Sequence, residues 1–96
     1  MDRPYTHFGI PYIQLDNYEV DHKLIREVSE AMARAQGIVA LDKFESGSLK
    51  ILTVAMKDPE NHTVRQVLEK QFFGFNVLPF KATPEEILRV LNTVWR

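Results

Sequence analysis

The sequence predicts an α+β fold of two layers, a small mixed or antiparallel sheet with helices on one face, in the order α-β-β-α-β-α after a short extended N-terminal segment. Three observations point there. Amphipathic stretches with capping signals alternate with runs rich in β-branched residues, so the hydrophobic period switches between helix and strand along the chain. Glu45-Ser46-Gly47-Ser48 is a turn signal that joins two of those runs as a hairpin. Finally, 96 residues with 45% hydrophobic content supply one core and leave no room for a second of comparable size. Residues 1–96 are therefore read as a single domain, with 1–9 as a lead-in and 10–96 as the core.

Ile10, Tyr12, Ile13 and Leu15, interrupted by Pro11, read as an extended piece at a sheet edge, because proline lacks the ladder donor. Asp16 to Asp21 reads as a turn. Asp21 is expected to cap a first helix running to about Gln36, with Leu24, Ile25, Val28, Ala31, Met32 and Ala35 on the inward stripe. Gly37 stands where a left-handed C-terminal cap is wanted. Ile38 to Phe44 and Leu49 to Met56 form the hairpin. The second run is the more apolar, with Leu52, Val54 and Met56 on one face and Ile51, Thr53 and Ala55 on the other, which predicts a central strand. Asp58 is expected to cap the second helix with Pro59 in its first turn, Val64, Val67, Leu68 and Phe72 buried, and Gly74 as its stop. Phe75 to Phe80 is the third main strand, and Pro79 marks an unpaired edge. Thr83-Pro84-Glu85-Glu86 is a capping box with proline at the first helical position. The helix it opens carries Ile87, Val90, Leu91 and Val94 inward, with Leu88 and Trp95 at the margin.

Composition excludes several function classes. A net charge of −1 lacks the basic footprint of a backbone-driven nucleic-acid binder or a polybasic membrane-surface module. Absence of cysteine removes disulfides, thiolate nucleophiles and cysteine-rich zinc sites, and fits a reducing compartment. Met1 to His7 precede no apolar run that could serve as a signal core or membrane span, so the cytoplasm is the expected location. None of Gly9, Gly37, Gly47 and Gly74 has the spacing of a phosphate-cradling loop. His7, His22 and His62 are scattered, and Glu85 and Glu86 are explained by the capping box and the first-turn dipole. Asp42 and Asp58 have no nucleophile or oxyanion donor converging on them, and Lys43, Lys50, Lys57 and Lys81 serve edge protection and solubility. No catalytic residue, cofactor or metal is expected. Three aromatics stand out as candidate partner-interface residues: Tyr12 and Tyr18, which flank the edge segment, and Phe73, which points away from the Val64–Leu68 stripe if the second helix stays regular. A helix that unwinds before Gly74 would return Phe73 to the core.

Four spaced blocks carry a family resemblance. Phe8-Gly9-Ile10-Pro11-Tyr12-Ile13-Gln14-Leu15 resembles the Leu-Gly-Ile-Pro-Phe-Val-Asp-Leu opening of the N-terminal domain of type II secretion and type IV pilus assembly ATPases (the general secretory pathway protein E N-terminal domain family). Leu52-Thr53-Val54-Ala55-Met56-Lys57-Asp58-Pro59 is similar to its strand ending in Val-Ala-Met-x-Asp-Pro. Phe73-Gly74-Phe75-Asn76-Val77 is similar to its Thr-Gly-x-x-Val, and Ala82-Thr83-Pro84-Glu85-Glu86-Ile87 to its Ala-Thr-Pro-Glu-Glu-Ile. Ser29 and Ala40 stand where the family commonly has proline, and Gln36 where an aromatic is usual. The resemblance implies a non-catalytic adaptor that docks a motor ATPase onto the cytoplasmic domain of an inner-membrane assembly protein, or senses a regulator. It also implies a cytoplasmic location, peripheral at the inner membrane through partners. Some relatives bind cyclic di-GMP through Arg-Leu-Gly helical motifs upstream of the block that begins at Phe8. Those motifs are absent from this sequence, so no tight cyclic di-GMP binding is expected. A nucleotide sensor remains the alternative, although Arg26, Arg34, Arg65 and Arg89 are spread over three helices.

Overall fold

A computed structural model describes residues 10–96; the 1–9 lead-in, with His7 and the Phe8-Gly9 start of the first block, lies outside the described residues. After a 3₁₀ turn at Leu15–Asn17 come α1 (His22–Ile25), α2 (Glu30–Gln36), β1 (Ile38–Ser46), β2 (Leu49–Met56), α3 (His62–Gln71), β3 (Asn76–Lys81) and α4 (Pro84–Val94). The sheet has the order β1-β2-β3, antiparallel between β1 and β2 and parallel between β2 and β3, so it is mixed. The predicted α+β class and element order hold. β2 is central, as its apolar character requires.

The expected helix over 21–36 is two helices. Asp21 caps α1 by accepting from the Lys23 and Leu24 amides. Beyond Ile25 the bonds tighten to three-residue spacing, Glu27 to Leu24 and Val28 to Ile25. Ser29 then adopts extended backbone and restarts the helix, its hydroxyl accepting from the Met32 amide at 3.2 Å. The break rotates the second stripe, so that Ala33 faces the core while Ala31 and Ala35 are exposed. Gly37 ends α2 at φ +66, donating to the Ala33 carbonyl.

β1 runs two residues further than expected, to Ser46, because Gly47 takes φ +60 and closes a two-residue turn with Ser48. The register steps from Ala40↔Val54 to Asp42↔Thr53, leaving Leu41 as a bulge. Its carbonyl accepts from the Tyr18 hydroxyl at 3.3 Å. The cap of α3 is Asn61 rather than Asp58. Asn61 accepts from the Val64 amide at 3.2 Å, while the Asp58 carbonyl accepts from the Asn61 amide in a turn that precedes the helix. Pro59 is buried in that turn. Val64, Leu68 and Phe72 form a narrow four-residue stripe against the sheet, which leaves Val67 exposed. Half of the expected capping box forms at α4: Thr83 accepts from the Glu86 amide at 3.2 Å, but the Glu86 carboxylate accepts from the Thr83 hydroxyl at 3.3 Å rather than from its backbone amide.

Pro11–Ile13 lies along the end of β3, with the Lys81 amide donating to the Pro11 carbonyl at 2.8 Å and the Ile13 amide to the Lys81 carbonyl at 2.9 Å. Lys81 therefore turns its backbone groups outward, and so does Pro79, two residues away on the same side. The missing proline donor falls on the outer edge, where β2 does not need it.

Strand register assigns the two faces. Ile38, Ala40, Leu52, Val54, Met56 and Val77 share one face and are buried with Leu24, Ile25, Val28, Leu68, Phe72, Ile87 and Leu91 in one apolar cluster. On the other face Val39 and Ala55 are buried too, while Phe44, Leu49, Ile51, Thr53 and Leu78 are half-buried or exposed, so that face is open only in part. Among the described residues no polar or charged residue is buried in the core.

Candidate functional site

The three aromatic candidates occupy different environments. Tyr12 bridges to Lys81 and is 65% exposed at the rim of a groove it shares with Gln14, Asp16, Asn17, Glu86 and Arg89. The wall of that groove is a bidentate pair. Arg89 donates to Asp16 at 2.8 and 3.3 Å, which ties the 3₁₀ turn to α4 and, through those hydrogen bonds and the carboxylate charge, raises the guanidinium above its ordinary value. Tyr18 packs against the core, half-buried, and its hydroxyl is used at the Leu41 bulge. Burial, and secondarily the nearby Asp42 charge, pushes that hydroxyl above its ordinary value.

Phe73 is 88% exposed. Helix α3 stays regular through Gln71, the Phe72 amide closes on the Leu68 carbonyl at 2.8 Å, and Gly74 turns the chain at φ +87. Phe72 is thereby turned inward and Phe73 outward, onto a shallow groove lined by Gln66, Glu69, Lys70, Gly74 and Asn76. The structure does not bring Tyr12 and Phe73 together. Tyr12 sits beside the end of β3 and Phe73 before its start, so the strand's length, roughly 20 Å, separates them.

Sequence reasoning missed a second apolar surface. Phe44 (47% exposed), Leu49 and Leu78 (46% exposed) stand on the open face around half-buried Ile51. The signal was present in the alternation of β2 and in Phe44 standing between Lys43 and Glu45. Alternation marks two apolar faces without saying which one helices will cover.

At the same end of the sheet, on the helix-covered face, charge is balanced. Lys43 reaches the Glu27 carboxylate at 3.2 Å and lies 5.5 Å from the Phe72 ring and 5.6 Å from the Phe75 ring. Lys50 lies 5.7 Å from the Phe75 ring and 3.7 Å from the Glu45 carboxylate. Among the described residues no group of three or more His, Cys, Asp or Glu side chains could hold a metal ion. Among them, too, no helix is long and apolar enough to cross a membrane. These surfaces can bury aromatic and aliphatic groups of a partner; they hold no arrangement of nucleophile, base and oxyanion donor.

Comparison with known proteins places this geometry. Residues 8–94 match the MshEN domain family. The structure is similar to that of MshE with cdg (cyclic di-GMP), with a TM-score of 0.73 and 21% sequence identity. That match covers 90% of this chain and 59% of the MshE chain, so this chain spans less than two thirds of its relative's length. No curated protein sequence matches significantly. The chain belongs to the MshEN family, the non-catalytic N-terminal domain of MshE- and GspE-type ATPases of type IV pilus and type II secretion systems.

Proposed function

We propose that this MshEN domain docks a type II secretion or type IV pilus assembly ATPase onto the cytoplasmic domain of an inner-membrane platform protein or a regulator. It works in the cytoplasm, peripheral to the membrane through that partner. The observation that carries the reading is Phe73, a large aromatic at 88% exposure set on the corner where α3 stops and Gly74 takes φ +87. Fixing such a ring in solvent gains the fold nothing. Burying it against a partner is worth about 2 kcal/mol, and the pre-set corner keeps the ordering cost low. Tyr12, at the far end of β3, offers a second anchor. Tyr18 serves through the fold, by holding the bulge of β1. The immobilised chain is expected to capture the platform's cytoplasmic domain, and Phe73→Ser to reduce capture with no loss of helix signal. Failure to capture any platform component would count against docking.

The second reading, a nucleotide sensor, is favoured by the MshE structure with cdg. Three of this chain's arginines are already engaged: Arg26 donates to the Val94 carbonyl, Arg34 to Glu30 and Asn92, and Arg89 to Asp16. These three, among the described residues, form no free cluster to meet a phosphodiester. Cyclic di-GMP is therefore expected to leave the melting temperature of the 96-residue chain unchanged. A saturable micromolar shift would favour the sensor.

A further inference from the structure

Past Leu41 no strand among the described residues pairs with the outer edge of β1. Asp42, Lys43, Phe44, Glu45 and Ser46 are all exposed, and β2 covers only one side of the strand. No backbone hydrogen bond among the described residues reaches these five from the other side. Charged side chains ordinarily guard such an edge, because an arbitrary incoming strand leaves them unpaired. Here their spacing is self-complementary.

Consider two copies pairing antiparallel about a two-fold axis through Phe44. Lys43 of each copy then faces Glu45 of the other, Asp42 faces Ser46, and the two Phe44 rings face each other. Neighbouring registers lose this match. A two-fold axis must pass through a residue, because directly opposed side chains share a face; an axis through Lys43 sets lysine on lysine, and an axis through Glu45 sets carboxylate on carboxylate.

The faces agree as well. Lys43 and Glu45 share the helix-covered face, where Lys43 already contacts Glu27 and Glu45 already contacts Lys50. Pairing would extend these into two rows of alternating sign, Glu27, Lys43, Glu45, Lys50, each crossing the interface. The Phe44 rings meet on the open face beside Ile51 and continue its apolar surface across the axis.

The geometry points to β1 as a homotypic docking edge: a second copy of this chain pairs antiparallel through residues 42–46, centred on Phe44, and the two three-stranded sheets become one. This surface is separate from the Phe73 corner, and its partner is the chain itself. Five residues a side bury less than the roughly 1,200 Å² of a standard interface, so the association is weak and reversible.

Sedimentation equilibrium of the 96-residue chain from about 10 μM to about 1 mM tests it. The average mass is expected to rise from one chain toward two. Lys43→Glu and Glu45→Lys should each weaken self-association by about tenfold or more, because each sets like charges opposite one another. A one-to-one mixture of the two variants should regain wild-type association, since the acidic position 43 of one then faces the basic position 45 of the other. Each variant also replaces an exposed ion pair within the chain, Lys43–Glu27 or Glu45–Lys50, by a like-charge pair, so circular dichroism should show a native spectrum with the melting midpoint lowered by roughly a few degrees at most. Wild-type chain that stays monomeric throughout, variants that associate as well as wild type, or a mixture that fails to recover would each overturn the assignment.

Discussion

Ile38–Leu41 and Asp42–Ser46 belong to one strand and pair with one neighbour, yet every residue of the first segment is buried and every residue of the second is exposed. The first is an uninterrupted apolar run. The second alternates charge with one aromatic, and the bulge at Leu41 divides them. α1, α2 and α4 pack over the buried half, while the far half leaves the core and carries Phe44 onto an open face. The contrast teaches that one strand can be divided into a stretch that the core holds and a stretch that solvent reaches, so the second can be altered with little effect on the first.

The sharpest way to break that contrast is a matched pair of truncations. Ile38→Ala, in the buried segment, is expected to lose about 3 kcal/mol of unfolding free energy in urea. Phe44→Ala, which removes more carbon from the exposed half, should lose about 1 kcal/mol or less. Equal losses would dissolve the boundary. Two glycines probe the same divide with identical chemistry. Gly37 and Gly47 both hold positive φ, but a Cβ at Gly37 would stand 2.7 Å from side-chain carbons of Lys57, whereas one at Gly47 meets nothing within 4 Å. Both alanine variants should lose about 1 kcal/mol from the backbone, and Gly37→Ala measurably more, read as a lower thermal midpoint.

Much of the fold was legible in local chemistry. The Thr83 cap, the Gly37 cap, the hairpin and the edge position of Pro79 each depend on residues within a turn of one another, and each formed. What was not legible depends on distance. Ser29 reads as a tolerable helix-interior residue until the helix must repack so that Ala33 meets the core. Asp58 and Asn61 are competing caps three residues apart, and sequence does not rank them. Leu41 shows no bulge signal, because the group that satisfies its carbonyl is Tyr18, 23 residues away. The same distinction separates the candidate site residues. Exposure of Phe73 followed from a regular helix and Gly74, and the edge position of Tyr12 from Pro11, whereas the structural duty of Tyr18 and the open face around Phe44 required knowing where the helices settle.

Tyr18 sharpens the comparison at the bulge itself. Tyr18→Phe should lose about 1 kcal/mol by freeing the Leu41 carbonyl. The hydroxyl also carries a pH signature. The fold holds the phenol protonated above its ordinary value of about 10, so between the ordinary and the raised value the folded chain binds more protons than the unfolded one. Its contribution is full below the ordinary value and is lost as pH climbs through the raised one. Chemical denaturation followed on both sides of that window should show the decline in wild type and a shallower one in Tyr18→Phe. The smallest stability effect belongs to Phe73→Ser, expected within about 0.5 kcal/mol of wild type by the same denaturation assay. A larger loss would place Phe73 among the groups that hold the fold.

Docking through the Phe73 corner is tested most directly by calorimetric titration of the 96-residue chain with the cytoplasmic domain of the inner-membrane platform protein, wild type beside Phe73→Ser. A saturable isotherm for wild type, weakened about tenfold or more by the substitution, is the predicted result. No binding by the wild-type chain, or equal affinity in the two, would contradict it.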